Sequence, residues 1–563
     1  MTLSYGALWL IPVLSLPLTL AVAAHLPAMR PHSLSLLPLA PLPALATALF
    51  APEGSAFEAP DLLLGAQLAL EGNARLFLGF AAFLWTAAGI FARTYMRGDE
   101  RAGGFAALWC LTLAGNLGVF LAADVATFYV SFACVSLAAY PLVVHTRSAK
   151  AMRAGLVYIV LALAGETALL LGFMLAASSA ETLLIADMRE SMVDSPWQGA
   201  VLTLLVAGFG IKAGLVPLHV WLPLAHPAAP TPASAVLSGA IVKAGIFGLI
   251  QFLPFGVDLR FWHEALLWAG LATAFYGVAI GLTQQNPKTV LAYSTVSQMG
   301  LVVAVLATAL QQGSPEIALA SASFYALHHG LAKGALFMGV GVVGASGKRS
   351  LVPVLATLTL PALSLAGLPL TGGALAKLGA KPPLGGGAAE LLFTLSAVGT
   401  AMLMLRFMLK VAATGSHEPD ARPAAGLLVP WLATVAAGLI VPWLLFTGVT
   451  GLPVAYPLAP DSLLSAFWPA AAAGVVGALV AVARLGAPGI PEGDLLIPTT
   501  DTGARLLSMI PARPHWIAAL RLPEKRLMLD RVAGEWASRA ERLLSRWSIS
   551  GALLLMLVIL ATL

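Results

Sequence analysis

Charge is what this 563-residue sequence has least of: Asp, Glu, Lys and Arg together make up 10% of it, against roughly 25% in an ordinary soluble domain. With 59% of its residues hydrophobic, the chain could not cover a folded surface with polar groups, which excludes a water-soluble globule. Cysteine is nearly absent as well. Cys110 and Cys134 both lie in apolar runs without CxxC or Cys/His spacing, so no iron–sulfur, zinc or disulfide framework is implied. Neither a Rossmann glycine fingerprint nor a CxxCH haem motif occurs, and no cofactor or metal is expected on this chain. The net charge of +5, from 31 basic and 26 acidic residues, fits the loop bias of a membrane protein and implies no nucleic-acid partner.

What the chain does have is apolar length. Proline (38) and glycine (54), unusual in helices surrounded by water, are tolerated in transmembrane ones. A spanning helix takes about 20 mostly apolar residues, and by that rule the chain holds about sixteen spans. They are expected near 3–24, 33–51, 75–96, 104–122, 125–145, 155–177, 198–225, 232–254, 262–283, 289–310, 316–345, 351–376, 386–410, 424–447, 463–484 and 547–563. The stretch to Pro27 lacks a basic leader and a small-residue cleavage site, and reads as a first span rather than a signal peptide.

Loop charge supports the count. Connections with Arg30, with Arg97 and Arg101, with Arg147, Lys150 and Arg153, with Lys288, and with Lys348 and Arg349 alternate with acidic ones. The acidic set carries Glu53, Glu58 and Asp61, then Asp124, then Glu181, Asp187, Glu190 and Asp194, then Glu316. The positive-inside rule then puts the N-terminus outside and the basic loops in the cytoplasm. Residues 485–546 break the pattern. Leu529, Val532, Trp536, Ala540, Leu543 and Trp547 recur at three- and four-residue steps among five arginines between Arg526 and Arg546. That predicts a cytoplasmic amphipathic helix lying along the membrane or against other helices.

The informative residues are ionisable groups inside spans: Glu166 in the sixth, Lys212 in the seventh, Lys243 in the eighth, Lys333 in the eleventh and Lys377 in the twelfth. Each costs about 2.5–3.5 kcal/mol on insertion scales and so marks a pathway or a pair. A lysine in a dry site can gain and lose a proton instead of remaining a fixed charge. Four lysines with one carboxylate, bridged by histidines and water, amount to a proton path. His219 and His226, seven residues apart, share a face if their stretch is helical. His328 and His329 precede Lys333, and the i,i+4 step from His329 to Lys333 suits a relay. Two spans look interrupted, at Pro217 after Lys212 and at Gly367–Gly373 before Lys377. Broken helices in matching halves are the sequence pointer to a transporter's ion site.

Four runs carry a resemblance. GIKAGLVPLHVWLPLAHPAAPTPASAVLSGAIVKAGIFGL (Gly210–Leu249), NPKTVLAYSTVSQMGLV (Asn286–Val302), HGLAKGALF (His329–Phe337) and SLAGLPLTGGALAK (Ser364–Lys377) resemble the signatures of the antiporter-like subunits. Those subunits belong to respiratory complex I, membrane-bound hydrogenases and multisubunit cation/proton antiporters. The similarity covers roughly residues 60–410. It implies an all-α polytopic fold of about fourteen core helices, with helices seven and twelve broken and two inverted five-helix repeats. The implied division is 1–103, first repeat 104–254, second repeat 262–410, spans 424–484, in-plane segment 485–546 and last span 547–563. It also implies that Lys212 is the broken-helix lysine of the first half-channel, Lys243 the connecting lysine, His329 the second half's histidine and Lys377 the terminal residue. The closing run from Glu541 looks closer to hydrogenase-type tails than to that of the complex I member that ends the membrane arm.

One departure stands out. The family places a glutamate in span five, inside a Trp-Glu pair, where this chain has Phe132-Ala133. Either Glu166 supplies the counter-charge to Lys212 instead, the preferred account, or Lys212 is no longer modulated in that way. The resemblance implies a proton-translocating subunit of a redox complex in the bacterial cytoplasmic membrane. Such a subunit has no redox centre of its own and is joined to other membrane subunits and a peripheral redox arm. Rival expectations are a Na⁺/H⁺ antiporter subunit, the membrane half of an inorganic-carbon uptake system, and a non-pumping scaffold.

Overall fold

The chain folds as an all-helical membrane bundle. The computed structural model describes residues 5–483, apart from 181, 312 and 314, together with 490–492. The expected amphipathic segment within 485–546 and the last span, 547–563, lie outside the described residues except for 490–492. Thirteen helices among the described residues are long and apolar enough to cross a membrane, and they correspond one for one with thirteen of the spans read from the sequence.

The chain opens with α1 (Tyr5–Ala23), α2 (Ser33–Leu36) and α3 (Leu42–Phe50). The expected second span, 33–51, is therefore not one helix. Pro38, Pro41 and Pro43 crowd its middle, and each removes a backbone donor and fixes φ, so turns replace the ladder. A two-stranded antiparallel hairpin follows, β1 (Ala56–Ala59) on β2 (Ala66–Ala69), which the acidic loop gave no sign of. Then come α4 (Ala74–Tyr95), α5 (Ala102–Leu121), α6 (Val125–Val143), α7 (Ala149–Ala180) and the short α8 (Ile185–Ser191). Asp124 caps α6 and ties the hairpin to it, accepting from Thr127 N at 2.8 Å and from Gln67 N at 2.7 Å.

The seventh span is split as expected, into α9 (Gln198–Ala213) and α10 (Trp221–Ala228). The eighth consists of α11 (Thr231–Val236), a π-helical turn at Leu237–Ile241 and α12 (Lys243–Phe252). Next come α13 (Arg260–Thr283), α14 (Pro287–Ala307) and α15 (Pro315–Gly344). The twelfth span divides into α16 (Lys348–Ala366) and α17 (Gly372–Leu384), and so runs several residues beyond its expected end at 376. The described bundle closes with α18 (Gly387–Ala412), α19 (Ala425–Thr450) and α20 (Pro460–Val482).

Burial sorts these helices. The most apolar windows of 231–252 and 287–310 are wholly buried, whereas that of α20 is 17% buried. The eighth, tenth and eleventh spans thus form the middle of the bundle. Without a hydrophobic drive between helices in lipid, close approach of backbones has to hold that middle together. Gly239, in the π turn, and Gly330, on α15, show how. A Cβ on Gly239 would stand 2.9 Å from Gly330 O, and one on Gly330 would stand 2.7 Å from Gly239 O. Gly330→Val is expected to force the eighth span off α15 and to abolish a monodisperse folded peak in detergent size-exclusion chromatography. Gly448→Ala, which has open space around its Cβ position, should elute as the wild type does.

Candidate functional site

Both broken spans end their first half in the same way. Gly214 and Gly367 adopt φ of 80° and 92°, left-handed conformations that a side chain disfavours. In α9 the N–H groups of Gly214 and Leu215 both return to Gly210 O at 2.9 Å. In α16 those of Gly367 and Leu368 return to Leu363 O at 3.1 and 3.2 Å. These are paired Schellman-type stops. Each leaves further carbonyls at the helix end, where the macrodipole is negative. Trp221 Nε1 donates to Ile211 O at 2.7 Å across the first break. Lys377 Nζ donates to Ala366 O at 2.6 Å across the second. A lysine at membrane depth is thereby set against the negative end of a half-helix.

Lys212 lies in the last turn of α9, buried. Its Nζ donates to Ser136 Oγ of α6 at 2.8 Å and stands 5.3 Å from the centre of the Phe132 ring. The carboxylate expected by family likeness near Phe132-Ala133 is thus replaced by a ring face and, one turn further on, by a hydroxyl. Glu166, on α7, is buried and interacts electrostatically with both Ser136 and Lys212. No direct ion pair joins the two charges among the described residues, and Glu166 Oε1 has no hydrogen-bond partner there.

The π turn of the eighth span brings Ser238 and Lys243 to the centre. Lys243 Nζ bonds the Ser238 carbonyl oxygen and lies 2.7 Å from His329 Nδ1, a contact whose proton can sit on either nitrogen. The Ser238 hydroxyl meets Thr295 Oγ1 at 2.8 Å, and Thr295 donates to Leu291 O at 3.1 Å. Lys333 Nζ donates to the same Leu291 O at 2.8 Å. A thread of hydrogen bonds therefore runs from His329 and Lys243 to Lys333 through α14, interrupted at Ser238, whose carbonyl takes Lys243 while its hydroxyl meets Thr295. His328, next in sequence to His329 but turned about 100° around the helix, faces the other way. Its Nε2 lies 2.9 Å from Ser364 Oγ, which accepts from Gly373 N across the second break at 3.3 Å. The two histidines split between the central lysine and the twelfth span.

Two expected pairings are replaced. His329 finds its partner in Lys243 on a neighbouring span and not in Lys333 on its own helix, and the glycine contact beside it lets the backbone of the eighth span approach α15 closely. His219 lies in the non-helical connection between α9 and α10, so it does not share a helical face with His226. It sits edge-on to Tyr276 at 5.2 Å, whereas His226 stacks on Phe337 at 4.7 Å. The structure thus joins Lys243 to His329 directly, sets Lys333 on Leu291 O nearby, holds Lys212 with Glu166 at one station and Lys377 at another, and leaves His219 beside the first break.

Sequence reasoning missed Ser136, Ser238, Thr295 and Ser364. The available signal was a hydroxyl at membrane depth, since such groups bond a neighbouring helix or their own preceding turn. Ser136→Ala removes the sole hydrogen-bond partner of a buried lysine among the described residues. It is expected to cost about 1–3 kcal/mol, measured as a lowered unfolding midpoint in detergent, while Ser136→Thr retains most of the stability.

Residues 122–381 match the family described as NADH:quinone oxidoreductase/Mrp antiporter, TM. Hydrogenase-4 component B of Escherichia coli is 34% identical over 266 residues, covering 45% of this chain and 40% of that protein. The D-type subunit of the Na(+)/H(+) antiporter of Bacillus subtilis is 31% identical over 346 residues, covering 56% of this chain and 68% of that one. The match therefore spans less than half of the first relative's length and about two thirds of the second's. The fold is similar to that of a chain in the Mrp complex from Dietzia sp. DQ12-45-1b. The TM-score is 0.70 at 23% identity, covering 97% of this chain and 61% of that chain.

Proposed function

The chain belongs to the NADH:quinone oxidoreductase/Mrp antiporter family, and from that premise we propose that it translocates protons as one subunit of a larger membrane complex. The observation that carries this reading is the direct contact of Lys243 with His329 at the buried centre, with Lys333 donating to Leu291 O on the neighbouring α14. Buried lysines held only by neutral acceptors are a costly way to fill a core, and they are suited to exchanging protons. His329 Nε2, without a partner among the described residues, leaves one ring nitrogen free for the exchange that a relay needs.

A proton taken up from the cytoplasm passes the Lys212–Glu166 station, moves to Lys243 and His329, and leaves near Lys377. Separating or closing Lys212 and Glu166 changes the lysine's affinity for its proton, and the Ser136 hydroxyl between them transmits the change. His328 and Ser364 link the centre to the half-helix end that holds Lys377. Residues 104–254 and 262–410 are the two inverted repeats on this reading, supported by the matching stops at Gly214 and Gly367. The partners are other membrane subunits, with any redox energy supplied by a peripheral arm on them. The location is the bacterial cytoplasmic membrane, N-terminus outward. The likeness to part of a Na⁺/H⁺ antiporter favours one further reading, in which the same stations exchange Na⁺ for H⁺.

The test is proton uptake into proteoliposomes that hold the tagged chain with its co-purifying subunits, driven by a potassium diffusion potential and read with an internal pH dye. Lys212→Ala and Lys377→Ala are each expected to lower uptake at least tenfold without loss of folded protein, and Glu166→Gln nearly as much. Normal uptake in both lysine variants would defeat the path. Uptake that requires external or internal Na⁺ would favour the exchange reading.

Lys243→Arg is the sharper variant. It keeps the positive charge and the donors, but a guanidinium does not release its proton. It is expected to fold and to block uptake. If Lys243→Arg transports at the wild-type rate, Lys243 is a fixed charge.

A further inference from the structure

Three arginines on one membrane face have nothing to do with the buried thread. Arg30 follows α1, Arg93 lies in the last turn of α4, and Arg97 lies four residues further on. They line one pocket of about 630 Å³. None of the three guanidinium groups has a hydrogen-bond or ion-pair partner among the described residues.

A single cation at the end of α4 would be ordinary, since the macrodipole favours one there. Two like charges four residues apart around a helix end repel, and a third brought in from a separate connection adds to the repulsion. The third is seated deliberately. Gly103 leaves room for it: a Cβ there would stand 3.0 Å from Arg30 Cγ and 3.3 Å from its Nε. The nearby carboxylates do not neutralise the group. Asp99 turns to His145 Nε2 at 3.0 Å and to the Arg101 N–H at 2.8 Å, and with Glu100 it sets two carboxylates against three guanidinium groups in the pocket wall.

We propose that Arg30, Arg93 and Arg97 bind the phosphate of an anionic phospholipid headgroup. Planar N–H forks from three directions match phosphate oxygens, and basic pockets between transmembrane helices suit anionic lipid heads on the cytoplasmic side. The pocket stands where α1 and α4 end and α5 begins, the level of headgroups in a bilayer. Leu18 and Val22, 40% and 41% exposed, lie one turn apart on α1, and Leu26, 52% exposed in the turn that follows it, leads to Pro27 in the pocket wall. That stripe gives an acyl chain somewhere to lie, which a soluble phosphate would not use. The proposal rests on the placement of this face in the cytoplasmic leaflet and is independent of the proton path.

The test uses the full chain, purified in mild detergent and delipidated, with phosphatidylglycerol, phosphatidylcholine or inorganic phosphate added. Bound lipid is counted by native mass spectrometry and stability is followed by thermal unfolding. Phosphatidylglycerol is expected to bind at least fivefold better than phosphatidylcholine and to raise the unfolding midpoint. Arg30→Gln/Arg93→Gln/Arg97→Gln should erase that preference. Gly103→Leu, which keeps every charge but displaces Arg30, should weaken it severalfold. Equal retention of the two lipids, an unchanged preference in the triple variant, or displacement of phosphatidylglycerol by equimolar phosphate would each overturn the proposal.

Discussion

A charge carried to membrane depth has to find an acceptor there, and the rest of this structure follows from how its lysines do so. An intact helix offers a lysine on a neighbouring helix only the second lone pair of a carbonyl already committed to its own ladder, which is what Lys333 takes at Leu291 O. The bundle meets the requirement by damaging the ladder in chosen places. The stop at Gly367 leaves Ala366 O to Lys377, and a π turn precedes Lys243, which bonds Ser238 O. Where the helices run unbroken, small hydroxyls serve instead, as Ser136 does for Lys212. π-helical turns and unwound segments recur at functional sites for the same reason.

Such an arrangement works only where water and lipid are kept out, which explains the layering. The spans bearing Lys243, Thr295, His329 and Lys333 are the most deeply buried, and the first, fourteenth and fifteenth spans face outward. Contact between Gly239 and Gly330 places the lysine of one central span within hydrogen-bonding distance of the histidine of another. Adjacent histidines on α15 then look in opposite directions, one to Lys243 and one to Ser364. A single helix thus belongs to the central thread and to the second break at once.

The absence of a carboxylate in span five has a physical counterpart. Phe132 and Ser136 occupy the face of α6 toward Lys212, a ring and a hydroxyl where relatives are expected to place a charge. Glu166 stands on the next span, coupled to the lysine through space and through Ser136 rather than by direct pairing. A counter-charge at one remove stabilises the ammonium less than a direct ion pair would.

Much of this was readable before any coordinates. Spans could be counted because twenty apolar residues have no other stable fate in a bilayer, and the breaks at Pro217 and Gly367 were visible because proline and glycine interrupt helices locally. Lys212, Lys243, Lys333, Lys377 and Glu166 declared themselves by their cost. The sequence by itself therefore determined thirteen of the crossing segments and where two of the helices break. It could not determine which spans are central, because lipid-facing and core-facing surfaces are equally apolar: α19 and α14 read alike, yet the most apolar window of one is 28% buried and that of the other wholly buried. Nor could it choose partners. His329 meets Lys243 and not Lys333 because two glycines let backbones touch across helices far apart in the chain, and such a contact exists only once the helices have packed.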